Sequence, residues 1–160
     1  MSSVPRTGLG TDRPRTLADV APALASAQAE FQRVAYPGAV DLVTRELVRI
    51  MSGRESHCRI CRNLRLRAAI DRGFDESMAD KIDDFEHSDL ADRQKAALRF
   101  ARCFLLDPSA FDDAARQELL GHFRPEEVAE LILDLVRLRP GSKLTVAAGN
   151  EPVTEELIYW

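Results

Sequence analysis

The most telling part of the chain is the stretch ELVRIMSGRESHCRICRNLR, residues 46–65. It contains a Cys-X-X-Cys pair, Cys58 and Cys61, whose thiols can close a small disulfide or share a metal ion. Twelve residues before Cys58, Glu46 interrupts what is otherwise the apolar face of a predicted helix. A buried acid beside a paired thiol predicts redox chemistry.

Arginines surround the two thiols. Between residues 54 and 72, six arginines stand against two acids, Glu55 and Asp71. The whole chain of 160 residues nevertheless carries a net charge of −4, with a pI near 5.4. Because a general nucleic-acid binder is usually basic, we expect no nucleic-acid partner. The local excess of positive charge would instead favour the thiolate form of a nearby cysteine.

Length and composition fit one globular domain, with a hydrophobic content of 45%. We expect a flexible leader over residues 1–16, a single all-helical domain over 17–150 and a tail over 151–160. No apolar run approaches the ~20 residues of a membrane span, and the N-terminus lacks a signal-peptide segment. Three cysteines, an odd number, do not make a secreted disulfide framework. A cytoplasmic location without a membrane partner is therefore predicted.

Apolar residues recur at helical spacing through most of the chain, and this periodicity predicts an all-α fold. The predicted helices cover residues 17–34, 39–51, 57–72, 75–85, 91–106, 112–120, 125–139 and 143–148. Asp75 is predicted to cap its helix, and Gly73 to supply the left-handed residue before it. Pro140-Gly141 is predicted to break the seventh helix, with Ser142 capping the eighth.

The predicted helix over 57–72 begins at the thiols, with Ser56 as its N-cap. Cys58 and Cys61 would then lie in the first turn, where the helix dipole stabilises an anion. A free thiol titrates near ~8.5, and a shift of about one or two units would make the thiolate the main species at neutral pH. Oxidation of one sulfur to a sulfenic acid could then be resolved by the other. Glu46 is the candidate for proton transfer.

Other roles for these residue types receive less support. Zinc would need two further ligands, and His57, His87 and His122 show no finger-like spacing, so we expect no metal and no cofactor. Haem attachment requires histidine directly after the second cysteine, where Arg62 stands. Cys103 is interpreted as core filling, and His87 and His122 as surface or capping residues.

From about residue 39 to residue 149 the chain resembles the carboxymuconolactone decarboxylase-like superfamily, in particular its alkylhydroperoxidase D-like branch. The hallmark of that branch is a glutamate, a Cys-X-X-Cys beginning twelve residues later, and a histidine four residues beyond the second cysteine. Glu46, Cys58 and Cys61 keep this spacing. Downstream, AIDRGF (69–74), QKAALRFA (94–101) and EEVAEL (126–131) match as well.

The resemblance implies an all-helical protein that assembles as a trimer or hexamer and reduces hydroperoxides through its two cysteines. It assigns attack on the peroxide to Cys61 and resolution to Cys58, whereas position near the helix start alone slightly favours Cys58 as the attacking thiol. It also implies a hydroperoxide substrate, an unidentified thiol reductant and a homo-oligomeric state.

One departure from the family pattern concerns the proton relay, because the family histidine falls on Arg65. Arginine stays protonated and cannot relay a proton. It can hold a thiolate or pair with Glu46, and His57 is a partial substitute for the histidine. We therefore expect weaker or differently tuned peroxidase activity, with Cys61, Cys58, Glu46, Arg65 and His57 as the candidate catalytic residues.

Two other functions remain open. One is a decarboxylase or lactone-processing enzyme like the superfamily's namesake, which does not rely on a cysteine pair. The other is a non-enzymatic module, either a redox sensor or an oligomeric binding protein, in which the thiols oxidise reversibly without a catalytic cycle.

Overall fold

The computed structural model describes residue 19 and residues 21–34, 38–147, 149 and 156–160. The predicted leader over 1–16 lies outside these residues, as do residues 151–155 of the predicted tail. The α helices are α1 Pro22–Val34, α2 Leu42–Glu55, α3 Arg59–Asn63, α4 Arg67–Ile70, α5 Glu76–Asp80, α6 Asp92–Leu106, α7 Asp113–His122 and α8 Pro125–Ala147. Two short strands, β1 Leu64–Arg65 and β2 Ile158–Tyr159, and 3₁₀ turns over Phe85–His87 and Pro108–Ala110 complete the architecture.

Helix α2 is the centre of the fold, and packs against α3, α4, α6 and α8. It begins at Asp41, whose carboxylate accepts the Thr44 backbone N–H and so satisfies one of the free donors of the first turn. The core forms where its apolar face meets α6 and α8, around Leu47, Ile50 and Leu98. Burying one such side chain is worth about 1.5–3 kcal/mol.

The all-α prediction is confirmed, with α6 within one residue of its predicted start and Asp75 capping α5. Gly73 adopts a φ of 97°, the left-handed conformation that the sequence predicts there. The predicted helix over 75–85 is too long, because Lys81 and Ile82 donate to carbonyls three residues back and the last turn tightens. The sixth predicted helix, over 112–120, was expected to stop before Gly121, but α7 continues through this glycine to His122.

The predicted continuous helix over 57–72 is wrong. The chain forms α3, then the extended pair Leu64–Arg65, then α4. Leu66 cannot continue a helix, because its backbone N–H donates to the Glu46 carboxylate instead of to a carbonyl four residues back. Tertiary hydrogen bonds therefore replace the local ones that the sequence pattern predicts.

The predicted break at Pro140 is also wrong, since α8 continues through it to Ala147. Proline in a helix interior costs about 3 kcal/mol. Burial of Leu131, Leu135 and Ser142 along the same helix offsets this cost. Ser142, expected as the cap of a separate helix, is thus an interior residue of α8 that faces the core.

The two strands pair in parallel, Leu64 opposite Ile158 and Arg65 opposite Tyr159. Trp160 donates its backbone N–H to the Arg65 carbonyl, and its own carbonyl accepts from Arg67. This contact joins residues 158–160 to the segment that directly follows the cysteines. Within the described part of the chain, the helices are too short or too polar to cross a membrane.

Candidate functional site

Cys58 and Cys61 form a disulfide, with their Cα atoms 5.2 Å apart. Cys58 is the N-cap of α3, and its sulfur accepts the Cys61 backbone N–H at 3.2 Å. The cysteine pair therefore lies at a helix N-terminus, as predicted. The cap itself was expected at Ser56, which instead closes α2 by donating its backbone N–H to the Ser52 and Arg54 carbonyls.

The two sulfurs differ in access. Cys58 is fully buried, with 0% exposure, whereas Cys61 is half-buried. Cys61 lines an open cavity of about 610 Å³ bordered by residues of α1, α2, α3, α8 and the segment around β1. Most of the cavity wall is apolar: Leu42, Ile60, Leu64, Leu66, Ala68, Leu138 and Trp160. A molecule in this cavity would meet the sulfur of Cys61.

Glu46 is buried, as its position on the apolar face predicts. Its carboxylate receives two hydrogen bonds of 2.8 Å from Arg49, one turn along the same helix, and one of 3.1 Å from the Leu66 backbone N–H. Arg49 also donates to the Cys61 carbonyl at 2.8 Å and to the Leu64 carbonyl. This pair therefore ties α2 to both sides of β1.

Arg65 pairs with neither Glu46 nor a cysteine sulfur, the two possibilities raised by the sequence. Its guanidinium makes a bidentate ion pair with Glu76, at 2.7 and 2.8 Å. It also donates to the Arg62 and Leu64 carbonyls, and the residue is buried. In this structure Arg65 fixes the backbone after α3, because its guanidinium binds two carbonyls of that segment together with Glu76.

His57 is exposed on the turn between α2 and α3. It adopts a φ of 52°, and its backbone N–H donates to the Arg54 carbonyl. Left-handed backbone is uncommon for residues other than glycine, and here it reverses the chain so that Cys58 can cap α3. The backbone of His57 thus has a clear role in placing the cysteines.

Gly53 permits a close approach that the sequence analysis missed. A Cβ at this position would lie 2.7 Å from the Cys61 carbonyl carbon and from the Arg62 nitrogen. Real Cβ atoms do not come so near backbone atoms, so only glycine lets α2 and α3 meet here. The sequence pattern predicts the end of a helix after residue 51 and gives no sign of this contact.

Two serines that line the cavity together with Cys61 were missed as well. The Ser142 hydroxyl lies 3.1 Å from the Cys61 sulfur and 3.2 Å from the Leu138 carbonyl, although Ser142 is 81 residues away in sequence. Ser52 lines the same cavity with 1% exposure, and its hydroxyl has no hydrogen-bond partner among the described residues. No sequence signal marks either one, because serine is a common residue and both are brought to the cavity by tertiary packing.

Metal binding by histidine, cysteine or acidic side chains is the other chemistry that these residue types could support. Over residues 21–34, 38–147 and 156–160 no group of three or more such residues is placed to hold a metal ion. Cys103 is unpaired and half-buried on α6, next to a small cavity of about 140 Å³ that includes Phe111 and Leu119. His87 is exposed and binds Asp84.

Solved structures share this fold. A candidate AhpD antioxidant defence protein of unknown function from Agrobacterium tumefaciens has a TM-score of 0.73 at 14% identity, covering 88% of this chain and 99% of that protein. The debrominase Bmp8 has TM-scores of 0.69 with bound 2,3,4-tribromopyrrole and 0.68 in its apo form. These two structures are 16% and 17% identical to the chain and cover 84% and 83% of it, and 73% and 72% of Bmp8. At such identities the likeness establishes the fold.

Sequence relatives carry no functional description. Uncharacterized proteins from two Mycobacterium tuberculosis strains, CDC 1551 / Oshkosh and H37Rv, are each 36% identical over 119 residues. The match covers 74% of this chain but 42% of those proteins, so the chain spans less than half the length of the curated relatives it matches. No family model matches the chain.

Proposed function

The chain has the alkylhydroperoxidase D-like fold of the carboxymuconolactone decarboxylase-like superfamily, and from this premise we propose that it is a thiol-dependent peroxidase. The substrate would be an organic hydroperoxide, reduced through a dithiol–disulfide cycle of Cys58 and Cys61. One observation carries the proposal: the half-buried residue Cys61 lines a mostly apolar cavity and is disulfide-bonded to Cys58, which is fully buried.

The first step of the proposed cycle is attack by the Cys61 thiolate on the outer oxygen of the peroxide. A sulfur–oxygen bond forms, the oxygen–oxygen bond breaks, and its electron pair leaves on the inner oxygen as an alkoxide. That alkoxide takes from solvent the proton that the Cys61 thiol gave up on ionising. The sulfur is oxidised to a sulfenic acid and the peroxide is reduced to an alcohol.

The second step is attack by Cys58 on the sulfenic sulfur. A sulfur–sulfur bond forms, and hydroxide leaves with the Cys58 proton as water. A thiol reductant then returns two electrons and two protons. The difference in accessibility supports these two roles, since Cys61 lines the cavity whereas Cys58 is fully buried. The order of the cysteines is thus the one that the family resemblance implies.

Glu46 acts in this proposal as a positioning residue. Its carboxylate is bound by Arg49 and by the Leu66 N–H, and Arg49 in turn binds the Cys61 carbonyl. This arrangement fixes the backbone beneath the reactive sulfur. Arg65, which is bound to Glu76, holds the backbone of the residues after Cys61 in the same way.

The proposal also includes self-association as a homo-oligomer, a trimer or hexamer by resemblance. Apolar side chains stand exposed on α8 at Ile132, Leu133, Val136 and Leu144, where a second copy could cover them. Light scattering after size-exclusion chromatography would give the mass, and a strictly monomeric peak at micromolar concentration would remove this part of the proposal.

The test is mass spectrometry of the reduced protein after one equivalent of cumene hydroperoxide. Wild type should lose about 2 Da as the bridge closes, and dithiothreitol should restore the mass. Cys58→Ser should instead gain about 16 Da at Cys61, and Cys61→Ser should stay unchanged. An unreactive wild type, or a Cys61→Ser variant that still consumes peroxide, would overturn the proposal.

A second candidate is reductive removal of halogen from an aromatic ring at the same dithiol. The debrominase Bmp8 shares the fold and binds 2,3,4-tribromopyrrole, and the apolar cavity here is large enough for a ring of that size. In net balance the two thiols and the carbon–bromine bond would yield a disulfide, a carbon–hydrogen bond and hydrogen bromide. Release of bromide from tribromopyrrole by the reduced protein tests this candidate.

A further inference from the structure

We propose that Ser142 and Ser52 supply the polar contacts at Cys61 that substitute for the absent proton-relay histidine. In this inference, which rests on the proposed peroxidase function, Ser142 donates a hydrogen bond to the Cys61 thiolate. Ser52 donates one to the oxygen that departs from the peroxide.

The proposed hydrogen bond from Ser142 to the Cys61 thiolate rests on the geometry at Ser142. Its hydroxyl reaches the Cys61 sulfur at 3.1 Å from α8, and the residue is only 4% exposed. A hydroxyl has a single proton to donate, and here two acceptors are in reach, the sulfur and the Leu138 carbonyl at 3.2 Å. A thiolate is the stronger acceptor of the two, because charge-assisted hydrogen bonds are about twice as strong as neutral ones. Once the disulfide forms, the Leu138 carbonyl becomes the better acceptor.

The proposed contact between Ser52 and the departing oxygen rests on a buried hydroxyl without a hydrogen-bond partner among the described residues. Buried hydroxyls are nearly always hydrogen-bonded, since leaving one unsatisfied costs about 1–3 kcal/mol. Ser52 has no such partner within the described part of the chain, yet it lines the cavity beside Cys61. Ser52 belongs to α2, so any donor contact it makes to a molecule in this cavity comes from the α2 wall.

Ser142 therefore reaches the reactive sulfur from α8, and Ser52 borders the same cavity from α2. Attack on the peroxide moves negative charge from the sulfur to the departing oxygen. A donor that binds the developing alkoxide lowers the barrier, as oxyanion-hole donors do. The alkoxide then takes its proton from solvent, so neither serine has to change its ionisation state. Arg65, turned toward Glu76, is not required in this scheme.

Three variants in a Cys58→Ser background test the inference without any reductant. The variants are Ser142→Ala, Ser52→Ala and, as a matched control on α8, Thr145→Val, whose hydroxyl bonds the Gly141 carbonyl away from the cavity. Two quantities are measured for each: the pH profile of Cys61 alkylation by iodoacetamide, and the rate of Cys61 oxidation by two peroxides. Tert-butyl hydroperoxide has a strongly basic leaving oxygen, and peracetic acid a weakly basic one.

Ser142→Ala should move the midpoint of the alkylation profile upward by about one pH unit, the effect of one hydrogen bond to a charged group. Ser52→Ala should leave that midpoint in place and slow oxidation by tert-butyl hydroperoxide at least about tenfold. Its effect with peracetic acid should be several-fold smaller, because a weakly basic leaving group needs less assistance. Thr145→Val should match the parent in every measurement.

An alkylation midpoint unchanged in Ser142→Ala, or equal slowing of both peroxides in Ser52→Ala, would overturn the inference. Peroxidase function would still stand if wild type turned over hydroperoxide with dithiothreitol. Conversely, a wild type that fails to form its bridge would overturn the peroxidase proposal, while the alkylation profile would still decide the contact between Ser142 and the thiolate.

Discussion

Arg49 holds the Glu46 carboxylate through two hydrogen bonds of 2.8 Å, and both side chains are buried. Breaking a buried ion pair by removing one partner costs about 3–5 kcal/mol, because the other charge stays buried without compensation. Arg49→Met should therefore lower the free energy of unfolding in urea by about that amount. The double variant Glu46→Gln with Arg49→Met should lose less than Arg49→Met alone.

The matched control for this prediction is Arg54→Met on the same helix. Arg54 pairs with Asp83, whose side chain is 78% exposed, so its removal should change stability by no more than about 1 kcal/mol. Equal losses for Arg49→Met and Arg54→Met would contradict the importance of the buried pair.

Gly53→Ala should destabilise the junction of α2 and α3. The new methyl group would meet backbone atoms of Cys61 and Arg62 at 2.7 Å, and overpacking of this kind costs about 1–3 kcal/mol. Gly121→Ala is the control, because no atom lies within 4 Å of its added Cβ and alanine is favoured in a helix by about 0.5–1 kcal/mol. Thermal unfolding should show opposite shifts, and shifts of the same sign would refute the packing argument.

The reduced protein should be alkylated at Cys61 well before Cys58. Reactivity requires access, and Cys58 is fully buried while Cys61 lines the cavity. Short exposure to iodoacetamide followed by peptide mapping should give at least about tenfold more label on Cys61. Faster labelling of Cys58 would reverse the assigned order of the two thiols.

Replacing Arg65 by histidine, which restores the family pattern, should not raise peroxide turnover. The side chain at this position is directed to Glu76 and to two carbonyls, and a histidine cannot make all of these contacts. Arg65→His should instead lose about 1–3 kcal/mol of stability, because the Arg62 carbonyl loses its side-chain donor. Glu76→Gln, at a half-exposed carboxylate, should lose less. If each folded Arg65→His molecule turned over peroxide faster than wild type, residue 65 would be shown to act as a proton relay after all.

The stability contribution of Glu86 should vanish in acid. Hydrogen bonds from Arg99 lower the pKa of this carboxyl below its ordinary value of 4.5, against the opposing effect of burial. A lowered pKa in the folded state means that the stabilisation is complete above the ordinary value and is lost as the pH falls through the lowered one. Glu86→Gln should thus be about 0.5–1 kcal/mol less stable at neutral pH, with the gap closing in acid.

The check on this prediction is urea unfolding of both proteins across the acidic range. Glu126→Gln serves for comparison, because its pair with Arg124 is more exposed on both sides. A stability difference between wild type and Glu86→Gln that persists or widens toward low pH would contradict the lowered pKa of Glu86.

Much of the architecture follows from local patterns. Apolar spacing locates α2 and α6. Gly73 has the left-handed backbone and Asp75 the N-cap role that their residue types predict. Such features depend on neighbours in sequence, where periodicity and capping chemistry are informative. The burial of Glu46 could be read in the same way, because the apolar residues around it share its helical face.

What the sequence did not reveal depends on distant partners. The chain leaves the helical path after Asn63 because Glu46, twenty residues before Leu66, takes a backbone donor that a helix would need. Pro140 stays within α8 because packing along the helix offsets the missing hydrogen bond. Ser142 meets Cys61 across 81 residues, a separation that no local pattern encodes.

The hydrogen bonds from Arg49 to the Cys61 and Leu64 carbonyls bind the main chain and do not involve the sulfur atoms. Opening or closing the bridge therefore leaves these anchors in place, and the local backbone need not be rebuilt at each turn of a cycle. A reductant would only have to reach one sulfur at the cavity wall. The pace of regeneration would then be governed by encounters between molecules instead of by slow internal rearrangement.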